Sequence, residues 1–122
     1  MTNQDLRTTF MNYLGALAER SVAKREEVLR TNVAEDVAFS NPGVNGRGLQ
    51  SLLTHVARFQ ALYPGSCFRL NWHLEQHGQI LAEWSQISSD GLEFLTAHSY
   101  ARLNDEGRIS HFAGFWGSLP KT

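Results

Sequence analysis

Residues 92–103 read Leu92-Glu93-Phe94-Leu95-Thr96-Ala97-His98-Ser99-Tyr100-Ala101-Arg102-Leu103. Side chains alternate across a strand, so Leu95, Ala97, Ser99, Ala101 and Leu103 share one face, and Thr96, His98, Tyr100 and Arg102 share the other. The first set suits a lined interior. The second is polar yet aromatic, which suits an interface better than open solvent. Ser89-Asp90-Gly91 before this strand is a strong hairpin signal, and Asp105-Glu106-Gly107 turns the chain after it.

Outward from this strand the pattern continues. Ile109 to Trp116 forms the last strand. Upstream, Gln79 leads into a strand over Ile80 to Ile87, and Gln76-His77-Gly78 is the turn before it. Phe68, Leu70, Trp72 and Leu74 alternate with Arg69, Asn71, His73 and Glu75 in a further strand. These four strands make a meander.

The first half of the chain is helical. Leu6, Phe10, Tyr13, Leu14 and Leu17 recur at helical spacing, predicting a helix over about residues 4 to 19 with Thr2 and Asn3 as capping side chains. Ser21 caps a second helix to about Arg30 that buries Val22 and Leu29. Val37-Ala38-Phe39-Ser40 reads as a short strand, with Asp36 capping or bracing the loop before it. Asn41-Pro42-Gly43-Val44-Asn45-Gly46-Arg47-Gly48 reads as a turn-rich loop. Its glycines fit neither the dinucleotide pattern nor the P-loop. Leu49, Leu52, Leu53, Val56, Phe59 and Tyr63 make a third amphipathic helix, ended by Pro64-Gly65. The expected architecture is one α+β domain over residues 1–122. A curved antiparallel sheet, the four-strand meander plus one short early strand, carries three N-terminal helices on its concave side and encloses an apolar pocket.

Composition narrows the function classes. A chain of 122 residues, 42% hydrophobic, supports one core. Eleven basic and twelve acidic residues leave a net charge of −1, with no broad field to hold a phosphate backbone, so nucleic acid is not an expected partner. Between Arg20 and Arg30, Lys24, Arg25, Glu26 and Glu27 sit close enough to cancel, as on a solvated helix face. Cys67 is alone, which excludes an intrachain disulfide and fits the cytoplasm. The N-terminus lacks a signal-peptide pattern, and no apolar run approaches the ~20 residues of a membrane helix. His73 and His77 straddle a strand and its turn rather than one helix face, so no metal site is expected, nor any cofactor.

The element order resembles the nuclear-transport-factor-2-like superfamily, and within it the SnoaL-like polyketide cyclases and ketosteroid isomerases. Asp36, Asn41-Pro42, Trp84, Gly91, Asp105-Glu106-Gly107-Arg108-Ile109 and Gly114-Phe115-Trp116 carry that resemblance. It implies a cone-shaped sheet wrapped by helices around a deep pocket, usually in a homodimer. In the isomerases a helix-one tyrosine and a strand aspartate donate hydrogen bonds to a developing enolate oxygen, while a second aspartate moves the proton. Tyr13, within Asn12-Tyr13-Leu14-Gly15-Ala16-Leu17, matches the tyrosine. Asn41 falls at the base position and Ser99 at the other acid, so both carboxylates are missing. An amide is no general base near neutral pH. Limonene-epoxide hydrolases are similar around Asn41, but Trp84 and Gly114 fall near their two acid positions.

Tyr13, Asn41 and Ser99 are therefore the candidate catalytic residues, and Phe39, Phe59, Trp84 and Trp116 the candidate ligand-binding wall. Each has a plainer alternative. Tyr13 and the tryptophans also suit a core, Asn41 a turn into Pro42-Gly43, and Ser99 a small wall position. His98 has the chemistry of a base but faces away from Ser99. His55 and His111 have no partner identifiable from sequence. The expected ligand is a small apolar molecule and the expected assembly a homodimer through the face of His98, Tyr100 and Arg102. Four readings follow: a degenerate isomerase or cyclase, a binding domain without chemistry, a dimerisation module and, as the weakest, a related epoxide-opening hydrolase.

Overall fold

The computed structural model describes residues 5–117. It contains α1 (Leu6–Ala18), α2 (Val22–Asn32), β1 (Val33–Asn41), β2 (Val44–Arg47), α3 (Leu49–Leu62), β3 (Cys67–Gln76), β4 (Gln79–Ile87), β5 (Glu93–Leu103) and β6 (Ile109–Phe115). The strands form one sheet in the order β2-β1-β6-β5-β4-β3. This is the expected α+β arrangement, three helices on an open sheet. No helix among the described residues is long and apolar enough to cross a membrane.

Local chemistry sets the helix ends. Asp5 caps α1, its carboxylate accepting from the Thr8 N–H at 2.7 Å. The expected caps Thr2 and Asn3 lie outside the described residues. Ser21 caps α2 as expected, accepting from the Lys24 N–H at 3.3 Å. Arg25 is buried because its Nη1 donates to the Glu19 carbonyl at 3.1 Å, where α1 has ended. Of the two apolar residues expected inside α2, Leu29 is fully buried while Val22 is 57% exposed: the first turn of α2 overhangs the core.

Three features of the sheet depart from the sequence reading. First, β1 is nine residues long and pairs parallel to β6, so the sheet is mixed. Asp36 lies inside β1 on its exposed side and braces no loop. Second, the glycine-rich stretch is a hairpin, β2 pairing antiparallel with β1. Asn41 Oδ1 accepts from the Gly43 N–H at 2.8 Å and closes the turn. Gly46 sits opposite Phe39 in that ladder, where a Cβ would meet the phenyl ring at 2.6 Å. Glycine there signals strand pairing under an aromatic ring rather than loop freedom. Third, β3 carries a register shift, Leu70 facing Trp84 but Trp72 facing Glu83. The extra residue rotates the strand, so Trp72 and Leu74 leave the face of Phe68 and Leu70 and reach the outer surface.

β5 keeps both predicted faces. Ala97, Ser99 and Ala101 are fully buried, while Thr96, His98 and Arg102 are exposed. The core lies between the inner sheet face and the helices, α1 crossing β3 and β4 and α3 crossing β1 and β2. Phe10, Leu14, Leu29, Leu52, Val56, Ile80 and Ile109 fill it. Gln60 joins the two covering helices, its amide donating to the Leu17 carbonyl at 2.6 Å.

Candidate functional site

Sheet register places the candidates in adjoining rows of the inner face. Phe39, Phe112 and Ala101 pair across β1, β6 and β5 in one row, with Ile80 of β4 next to them. In the next row Gly114 pairs with Ser99, and Ser99 with Ala82. Continuing the parallel register of Ser40 with Ala113 sets Asn41 beside Gly114. Asn41 and Ser99 thus stand two strands apart, about 10 Å at the usual strand spacing.

Around these rows the structure forms three groups. Tyr13 is buried against Phe112, ring centroids 4.5 Å apart, and its hydroxyl makes no hydrogen bond among the described residues. Burial pushes its pKa well above the ordinary phenol value, so it stays a donor. The second group is aromatic. Trp84 contacts Phe68 at 5.3 Å and Trp116 at 6.1 Å, and Phe68 contacts Phe59 at 5.7 Å. The Trp84 indole N–H donates to Ser99 Oγ at 2.8 Å, and Ser99 is fully buried. Phe59, Phe68, Leu95 and Trp116 are only partly buried around this centre.

The third group is Asn41 with His55, a residue without an identifiable partner in the sequence. Asn41 Nδ2 lies 3.2 Å from His55 Nε2. The Gly43 N–H fixes Oδ1 as the acceptor end of that amide, so Nδ2 must donate and Nε2 must accept. His55 is thereby held as the neutral Nδ1–H tautomer. Its pKa is lowered, first by burial and then by the charge of Arg58. Its ring packs on Phe39 at 5.9 Å. Leu52, His55 and Phe59 follow the i, i+3, i+7 spacing of one helix face, the signal that could have placed this imidazole inside.

No hydrogen bond or ring contact among the described residues joins Tyr13 to Asn41, or either to Ser99. Phe39 belongs to the Asn41–His55 group, while Phe59, Trp84 and Trp116 belong to the aromatic one. Two surface cavities lie elsewhere and take in none of the seven candidates. One of about 370 Å³ lies between α1 and α2, beside Met11, Gly15, Val28 and Asn32. The other, about 380 Å³, lies over Leu74, Leu81 and Tyr100. No group of three or more histidine, cysteine, aspartate or glutamate side chains is arranged for a metal ion among the described residues.

The fold is that of the nuclear-transport-factor-2-like superfamily. A candidate isomerase of the SnoaL-like family from Agrobacterium tumefaciens superposes with a TM-score of 0.85 at 26% identity, over 92% of this chain and 97% of its own. A candidate ketosteroid isomerase from Kribbella flavida gives 0.71 at 20% identity, over 98% and 83%. A candidate polyketide cyclase from Sinorhizobium meliloti gives 0.71 at 14%, over 88% and 93%. No protein-family model and no curated protein matches the sequence.

Proposed function

We propose that this chain binds a small apolar carbonyl compound at the open end of its cone, with isomerase- or cyclase-type proton transfer as its enzymatic form. One observation carries the reading. Phe59, Phe68, Leu95 and Trp116 stay partly exposed around a buried Trp84–Ser99 pair. An apolar wall with few polar groups is the usual form of a small-molecule site. The likeness to a SnoaL-like candidate isomerase at 26% identity supports the enzymatic form.

The chemistry is expected to be slow. General acid–base catalysis contributes about 10²–10⁴-fold and needs a group with a matched pKa. Asn41 has no such group, and Ser99 already accepts from Trp84. Asn41→Asp is therefore expected to raise proton transfer on an unsaturated ketone, read as absorbance of the conjugated product. A fast wild type unchanged by the substitution contradicts this.

Binding without chemistry is the second reading, favoured by the double engagement of Asn41 with Gly43 and His55. Trp84 and Gly114 stand where the resemblance to epoxide-opening hydrolases calls for two acids, which counts against that alternative. We also propose a homodimer through the outer sheet face around His98, Tyr100 and Arg102.

A further inference from the structure

His55 lies outside the set of Tyr13, Asn41 and Ser99, yet its surroundings are built. Asn41 Nδ2 meets its Nε2 at 3.2 Å, Phe39 lies against its ring, and Phe59 lies one helical turn further along the same face of α3. Asn41 cannot reverse its amide without setting its NH2 against the Gly43 N–H, which now donates to Oδ1 at 2.8 Å. The turn therefore orients the amide, and the amide selects the tautomer. The Nδ1–H left over makes no hydrogen bond among the described residues.

We propose that His55 is the polar anchor of the ligand site, a neutral imidazole whose Nδ1–H donates to the carbonyl oxygen of an apolar ketone, with Asn41 as the positioning residue that sets its tautomer. This rests on the binding reading above and names the group that recognises the ligand. Neutrality matters in two ways. A neutral donor enters an apolar site without the desolvation cost of an imidazolium. It also gives Asn41 a role that aspartate could not fill, because a carboxylate at this position would accept from Nε2–H and reverse the tautomer. The absent base and the present donor are then two sides of one substitution.

The probes are 1-indanone and indane, which share a skeleton and differ by the carbonyl oxygen. In calorimetric titrations, wild type should bind 1-indanone about five- to tenfold more tightly than indane, the worth of one hydrogen bond. His55→Phe should bring the two affinities together by weakening 1-indanone alone. In a long-range 1H–15N spectrum, His55 of the wild type should show the Nδ1–H tautomer. Asn41→Asp should move it to Nε2–H or to the imidazolium, and Asn41→Leu should leave a mixture. The spectrum needs no ligand and also reports whether each variant is folded. A ketone preference that survives His55→Phe overturns the proposal and leaves the binding reading intact. So does an Nε2–H tautomer in the wild type. Failure of both probes to bind overturns the binding reading and the anchor with it.

Discussion

Protonating His55 would set two donors against each other, the new Nε2–H and the Asn41 amide. Its folded-state pKa is lowered by burial and by Arg58. On acidification the unfolded chain takes up that proton first, so the stability held by neutral His55 is full above about pH 6.5 and is lost as pH falls below it. The urea midpoint should drop between about pH 7.5 and about pH 5, and less in His55→Gln, which does not titrate. Equal drops would contradict the pairing. Tyr13 gives the opposite test. Its hydroxyl makes no hydrogen bond among the described residues, so Tyr13→Phe should cost less than about 0.5 kcal/mol, measured by urea unfolding. A loss above about 1.5 kcal/mol would mean a bond is made there. At this scale the sequence was readable where a residue's type decides its chemistry, as with the absent carboxylates. His55 was not, because its partner lies fourteen positions away across a helix–strand contact.

Elements were easier to read than their edges. The alternation of residues 95–103 set both faces of β5 because one face is buried at its centre, from Ala97 to Ala101. The bulge in β3 has no such sequence mark. Phe68, Leu70, Trp72 and Leu74 alternate without interruption, and only the pairing with β4 turns the last two outward. Gly114 shows how an element can serve the site. A Cβ there would come within 2.8 Å of the Trp116 ring, so glycine lets that indole fold back over the inner face. Gly114→Ala should displace Trp116, seen as a shift of its indole N–H signal while that of Trp72 stays in place. An unmoved Trp116 signal would place its ring elsewhere. Gln60→Leu strips the Leu17 carbonyl of its buried donor and should cost about 1–3 kcal/mol in urea unfolding.

Across the whole molecule, the outer sheet face contrasts with the helix-covered inner one. Trp72 and Leu81 are each 42% exposed, Leu74 is 66% exposed and Phe115 61% exposed. His98 lies tilted against Trp72, ring centroids 5.9 Å apart, and contacts Glu83 at 3.1 Å, while Tyr100 donates to Gln79 at 2.6 Å. The proposed homodimer would bury these apolar side chains within their polar frame, since a self-complementary patch can close as a two-fold pair. Light scattering should give twice the chain mass at high micromolar concentration, and Leu81→Glu with Phe115→Glu should give the monomer. A monomeric wild type would contradict the assembly. Ligand binding belongs to the other face, and amide and side-chain NMR shifts recorded while 1-indanone is titrated into the protein locate it. The shifts should cluster on Asn41, His55, Phe59, Phe68, Trp84 and Trp116. Shifts confined to the groove of Met11, Gly15 and Val28 or to the outer face around Leu74 and Leu81, or no shifts at all, would contradict it.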